Sequence, residues 1–128
     1  MTKEIVWTPP EEIIKNSKLT SFIKYCNLKN YDTLEAKALQ NPGWLWDSVI
    51  KFSDLKFYKN YEQIMDESDG IPWTKWCVGG KTNIVLNCID RHKDKELFND
   101  TFIFSEKENG ETSSITYKDF DKKISQVG

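Results

Sequence analysis

A Gly-Gly pair set between a tryptophan-rich segment and a short amphipathic run constrains this chain more than any other feature. It lies in residues 73–92, WTKWCVGGKTNIVLNCIDRH. Paired glycines tolerate the left-handed backbone that other residues avoid, so the chain can turn sharply there. Just beyond, Ile84, Val85, Cys88 and Ile89 recur at helical spacing on one apolar face, with Asn87, Asp90 and Arg91 beside or opposite it. Upstream the pattern is helical, and Trp73 to Trp76 reads as a loop. Downstream it reads as a hairpin and one more helix. The expected class is α+β: a mostly helical N-terminal part, then a short helix, a β-hairpin and a C-terminal helix.

Composition removes several function classes. The 128 residues are one domain's worth, or a piece of one. Eighteen Lys and Arg against 20 Asp and Glu leave a formal charge of −2 with no like-charge block, and Arg91 is the single arginine. Nucleic-acid partners are therefore not expected, because base and phosphate reading relies on the guanidinium fork. A 13% aromatic content with five Trp argues for a folded chain. No apolar run approaches the roughly 20 residues of a membrane helix, and the first residues (MTKEIVW) carry no signal-peptide pattern. Cys26, Cys77 and Cys88 are odd in number and lack paired spacing, which fits a reducing compartment. A cytoplasmic protein with no membrane partner is expected.

Taken in order, Thr8-Pro9-Pro10-Glu11 reads as a helix start with Thr8 as cap and Pro9 at the first position. Leu19, Phe22, Ile23 and Cys26 predict a second amphipathic helix, and Asp32 with Glu35 opens a third carrying Leu34, Ala38 and Leu39. Asn41-Pro42 is the clearest start, leading a wide apolar face of Leu45, Trp46, Val49, Ile50 and Phe52. Residues 57–65 read as extended or irregular, and 93–99 as a charged loop. Two strand-like runs flank Asn109-Gly110, a dipeptide suited to positive φ in a hairpin turn. Thr116 and Asp119 then cap a last helix with Tyr117, Phe120, Ile124 and Val127 on one stripe. A lone hairpin is marginal in water and that stripe has no covering element, so a truncated piece of a larger α/β enzyme domain is expected.

Chemistry-bearing constellations are sparse. Gly79-Gly80-Lys81-Thr82 before a helix resembles a phosphate loop, but the full motif needs a glycine where Lys75 stands and a buried strand before it. A structural turn is the better reading. Cys77, Cys88 and His92 make three zinc-type ligands where a structural site wants four, and no second histidine exists. As a thiol and base, Cys88 and His92 lack an orienting third group. Cys88 is expected to pack, and His92 to sit as a cation at a helix end. Trp44, Trp46, Trp73 and Trp76 read as core rather than a ligand groove, the alternative being that some of them cap an interface with the rest of a larger enzyme, and the scattered carboxylates form no acid/base pair.

Trp76, Gly79, Gly80, Asn83, Asn87, Asp90, Arg91 and His92, followed by Glu-Asn-Gly-Glu at 108–111 and Ile-Thr-Tyr at 115–117, resemble the N-terminal region of the AMP-forming acetyl-CoA synthetase family. Trp7, Pro9 and the run NPGWLWDSVIK at 41–51 agree with it, while Cys77 stands where that family usually carries an aromatic. The resemblance implies a helical cap region over 1–72 and the incomplete start of an AMP-binding domain over 73–128. It implies a parent enzyme that joins a short-chain carboxylate to coenzyme A through an acyl-adenylate, using ATP and Mg²⁺. The triphosphate loop, metal-binding acids and mobile lysine domain of such enzymes are not in this chain. The eight matching residues are thus expected to be structural, with no catalytic, cofactor-binding or metal residue among them. The expected partner is the remainder of the synthetase. The competing reading is a free-standing, non-catalytic module that binds a partner or itself through its hairpin edge and last helix.

Overall fold

The computed structural model describes residues 7–127. It is α+β, with α1 (Glu11–Asn16), α2 (Lys18–Tyr25), α3 (Tyr31–Gln40) and α4 (Pro42–Phe52) first. Then come β1 (Gln63–Asp66), β2 (Lys75–Val78), α5 (Ile84–Cys88), β3 (Thr101–Glu106), β4 (Thr112–Thr116) and α6 (Tyr117–Val127). Contacts divide it into two units. One holds the described residues up to Leu55 with Tyr61–Gly79; the other holds Lys56–Asn60 with the chain from Gly80 onward.

In the first unit, short polar side chains start the helices. Ser17 Oγ accepts from Thr20 N–H at 3.0 Å, and Asn30 with Thr33 forms a reciprocal capping box on α3. Asn41 Oδ1 accepts from Trp44 N–H at 2.8 Å with Pro42 in the first turn, as its sequence predicts. The expected Thr8 cap is corrected: α1 begins at Glu11, after Pro10, with no side-chain cap. Pro10 forbids the helical region to Pro9, so the helix cannot begin before it.

The core of this unit is small. Phe22 of α2 meets Phe52 of α4 edge-on at 5.2 Å, with Tyr25 at 5.4 Å from the same ring. Phe22 and Leu34 are buried. On α4, Gly43 is buried because β1 crosses it closely: an added Cβ would meet Ile64 Cγ2 at 3.3 Å. β1 pairs antiparallel with β2, Met65 facing Trp76 and Gln63 facing Val78. The loop expected at Trp73–Trp76 is therefore corrected: Ile71–Trp73 is a 3₁₀ turn and Lys75–Val78 a strand.

The second unit is built around the hairpin. β3 and β4 pair antiparallel from Glu106↔Thr112 to Thr101↔Thr116, with an irregularity between Thr101 and Ile103. Gly110 takes φ +79° in the connection, as Asn109-Gly110 predicts. Thr116 Oγ1 accepts from Asp119 N–H at 3.1 Å and starts α6, also as predicted. Phe102 packs on Tyr117 and Phe120 at 4.5 and 4.9 Å. Along the predicted stripe Tyr117, Phe120 and Ile124 are half-buried, while Val127 is 90% exposed.

The apolar face expected on α5 is largely absent. That helix has five residues, Ile84 is 77% exposed, Cys88 is exposed, and Ile89, buried at 2%, lies beyond its end. Its φ of −122° breaks the helix and starts a 3₁₀ turn over Asp90–His92. Residues Glu96–Asn99 form another such turn inside the expected charged loop. Each sheet has two strands among the described residues.

Candidate functional site

Asn87 anchors a polar cluster within the second unit. Its Oδ1 accepts from Lys56 N–H at 2.8 Å, and its Nδ2 donates to Lys56 C=O at 3.0 Å and to Thr82 Oγ1 at 3.1 Å. Thr82 Oγ1 in turn donates to the same Lys56 carbonyl at 2.7 Å. Both backbone groups of Lys56 are thereby satisfied by side chains from the loop and helix after Gly80. Beside this, Lys59 and Lys81 form an antiparallel bridge, and Tyr58 N–H donates to Lys81 C=O at 2.8 Å. The segment Lys56–Asn60 is thus held as a strand would be.

The remaining motif residues have distinct local duties. Asn83 Oδ1 accepts from Val85 N–H at 2.8 Å and caps α5. Asp90 pairs with Lys93 at 2.9 Å, and Lys93 reaches on to Asp121 of α6 at 3.0 Å. Arg91 is half-buried on the same turn. Gly79 has φ +77°, and an added Cβ there would sit 3.1 Å from the Glu62 carboxyl. Gly80 is half-buried and opens the stretch that belongs to the second unit. Trp76 sits in the first unit on β2, its ring edge-on to Trp46 at 6.0 Å. It is 48% exposed, as is Trp46, and Trp73 is 71% exposed, so the expectation that these tryptophans are core is corrected. Trp46 and Trp76 border an apolar hollow of about 370 Å³ with Ile50, Ile64 and Cys77.

His92 also departs from expectation. It ends a 3₁₀ turn rather than a helix, its ring lies edge-on to Tyr117 at 5.7 Å, and Nδ1 is shut from solvent without a hydrogen-bond partner. Burial first, then the nearby Lys95 and Arg91 charges, lowers its pKa from 6.5. These surroundings disfavour the cation that a helix end favours.

The Gly79-Gly80-Lys81-Thr82 loop does not present a row of open donors. Lys81 N–H donates to Lys59 C=O at 2.8 Å, and the Thr82 hydroxyl is committed to Lys56. Asn83 occupies the start of a helix of only five residues. Among the described residues no group of three His, Cys, Asp or Glu side chains could hold a metal. No helix of the described residues is long and apolar enough to cross a membrane.

One tie escaped sequence reasoning. The Tyr61 hydroxyl donates to Asp47 at 2.6 Å, and Lys51 pairs with the same carboxylate at 2.6 Å. Its one local signal is the Asp47 and Lys51 spacing of four, a salt-bridge spacing on one helix.

Comparison with known proteins now places the chain. Residues 31–88 match the family model described as the acetyl-coenzyme A synthetase N-terminus. The acetyl-coenzyme A synthetase of Helicobacter acinonychis is 34% identical over 111 residues, covering 84% of this chain and 16% of that protein. That of Leptospira biflexa is 28% identical over 117 residues, covering 91% and 18%. The 3-hydroxypropionyl-coenzyme A synthetase of Sulfurisphaera tokodaii is 32% identical over 93 residues, covering 73% and 14%. The matches make this α+β chain similar to the N-terminal part of acyl-CoA synthetases. More particularly, the chain is an acetyl-CoA synthetase-like N-terminal region. It spans less than a fifth of the length of these curated relatives.

Proposed function

We propose that this chain serves as the N-terminal scaffold of an AMP-forming acyl-CoA synthetase and carries no catalytic group of its own. The complete enzyme activates a short-chain carboxylate with ATP and Mg²⁺ to an acyl-adenylate, releases pyrophosphate, and passes the acyl group to coenzyme A in the cytoplasm. The supporting observation is what the motif polar groups do: Asn83, Asn87 and Asp90 all engage the chain's own backbone or side chains. Groups so engaged hold a scaffold in shape. The partner is the remainder of the synthetase.

The test is calorimetric titration of the purified chain with ATP·Mg²⁺ and with coenzyme A, beside an acetate-dependent pyrophosphate-release assay. Neither binding nor turnover is expected. Saturable nucleotide binding would overturn the reading and restore the Gly79 to Thr82 loop as an anion site. Exposure of Phe104 at 81% and Val127 at 90% favours a second reading, a module that self-associates through the hairpin edge and α6. Sedimentation from micromolar to millimolar concentration decides it: a strictly monomeric chain removes that reading.

A further inference from the structure

We propose that His92 is an acid-sensitive latch in the second unit, its neutral imidazole joining the 3₁₀ turn to the aromatic cluster of β3 and α6, and its protonation releasing that contact. The inference concerns one unit and does not depend on the synthetase reading. His92 is the only histidine of the chain. Its ring abuts Tyr117, and Tyr117 abuts Phe102 at 4.5 Å, which itself touches Phe120. The chain of rings therefore runs from the turn through α6 to the hairpin.

The imidazolium must carry a hydrogen at Nδ1, which the Nε2–H tautomer of the neutral ring lacks, and there solvent is excluded and no hydrogen-bond partner stands. A buried donor without a partner loses its hydration and gains nothing in return. The charged neighbours give no relief. Arg91 on the same turn and Lys95 just before the next are both cationic and oppose a third positive charge. The carboxylates of Asp90 on the turn and Asp121 on α6 are engaged by Lys93. Tyr117 presents its ring to the imidazole. The folded unit thus binds this proton less readily than the unfolded chain does. Its stability is complete above the ordinary histidine pKa of 6.5 and declines as pH falls below it.

The experiment follows the imidazole carbon-bound protons of the whole chain by NMR from pH 8 to pH 4.5, with urea unfolding at each pH for wild type and His92→Phe. A midpoint below that of free histidine is expected. The wild-type folded-to-unfolded ratio should also fall, relative to His92→Phe, by up to about tenfold per pH unit below 6.5. Contacts between Tyr117 and Phe102 should weaken over the same range. A midpoint at or above 6.5, or parallel pH profiles for the two proteins, overturns the proposal. If His92→Phe does not fold, the wild-type midpoint alone decides.

Discussion

Asn87 does with one side chain what a neighbouring strand does with a peptide group, accepting from and donating to the same residue, Lys56. Its removal takes two hydrogen bonds from the Lys56 backbone, whose carbonyl keeps the Thr82 hydroxyl. Asn87→Ala should cost about 1–3 kcal/mol, read as a lower urea midpoint with an unchanged slope. Gly79→Ala should cost at least about 1 kcal/mol, since its φ is +77° and Glu62 already crowds the position. The Asp47 and Tyr61 pair predicts two pH effects of opposite direction. The Lys51 and Tyr61 hydrogen bonds hold the Asp47 carboxyl below its ordinary 3.8, so its contribution is full above that value and lost as pH falls through the lowered one. Burial, with the bond to Asp47, pushes the Tyr61 phenol up to about 12 from 10.0, so its contribution is lost as pH rises from 10. Ultraviolet titration of the tyrosines should show a late-ionising phenol that disappears in Tyr61→Phe.

At the scale of elements, what the sequence disclosed was what local chemistry decides. Asn41-Pro42, Asn109-Gly110 and Thr116 with Asp119 all act within four residues, and each forms the start or turn its residues predict. Thr116→Ala should accordingly reduce α6, with a loss of about 1 kcal/mol seen in far-ultraviolet dichroism on heating. The failures involve partners distant in sequence. β1 falls largely within the stretch read as extended or irregular, but β2 is four residues long, too short for alternation to announce it, and is defined by its pairing with β1. On α5, Ile84, Val85, Cys88 and Ile89 have the spacing of a buried face, but the helix ends before Ile89 can join it. Likewise the Asn87 grip on Lys56 spans 31 residues, and no local pattern encodes it.

For the molecule as a whole, the buried apolar side chains among the described residues are Phe22, Leu34 and Ile89, and no large side chain is fully enclosed. Burial of apolar area is the main favourable term in folding, so the isolated chain should unfold at low urea. Equilibrium unfolding should show a midpoint well below that of a synthetase of full length. The eight motif residues were legible from the sequence as a set, through family resemblance. Their separate duties were not, because a cap, a clamp and a half-buried ring all look alike as letters.

The crossing of the chain at Lys56–Asn60 has a further consequence. Because this short segment belongs to the second unit while the residues on both sides belong to the first, no single cleavage yields two intact parts. A protease cutting at Gly79 or Gly80 leaves one product without its pinned segment and strands that segment on the other. Shared custody of five residues makes the two units heritable only together, so recombination or gene fission between them should be disfavoured. A polypeptide of residues 80–128 should lack the ordered amide signals of the whole chain, and adding residues 1–79 in trans should restore them.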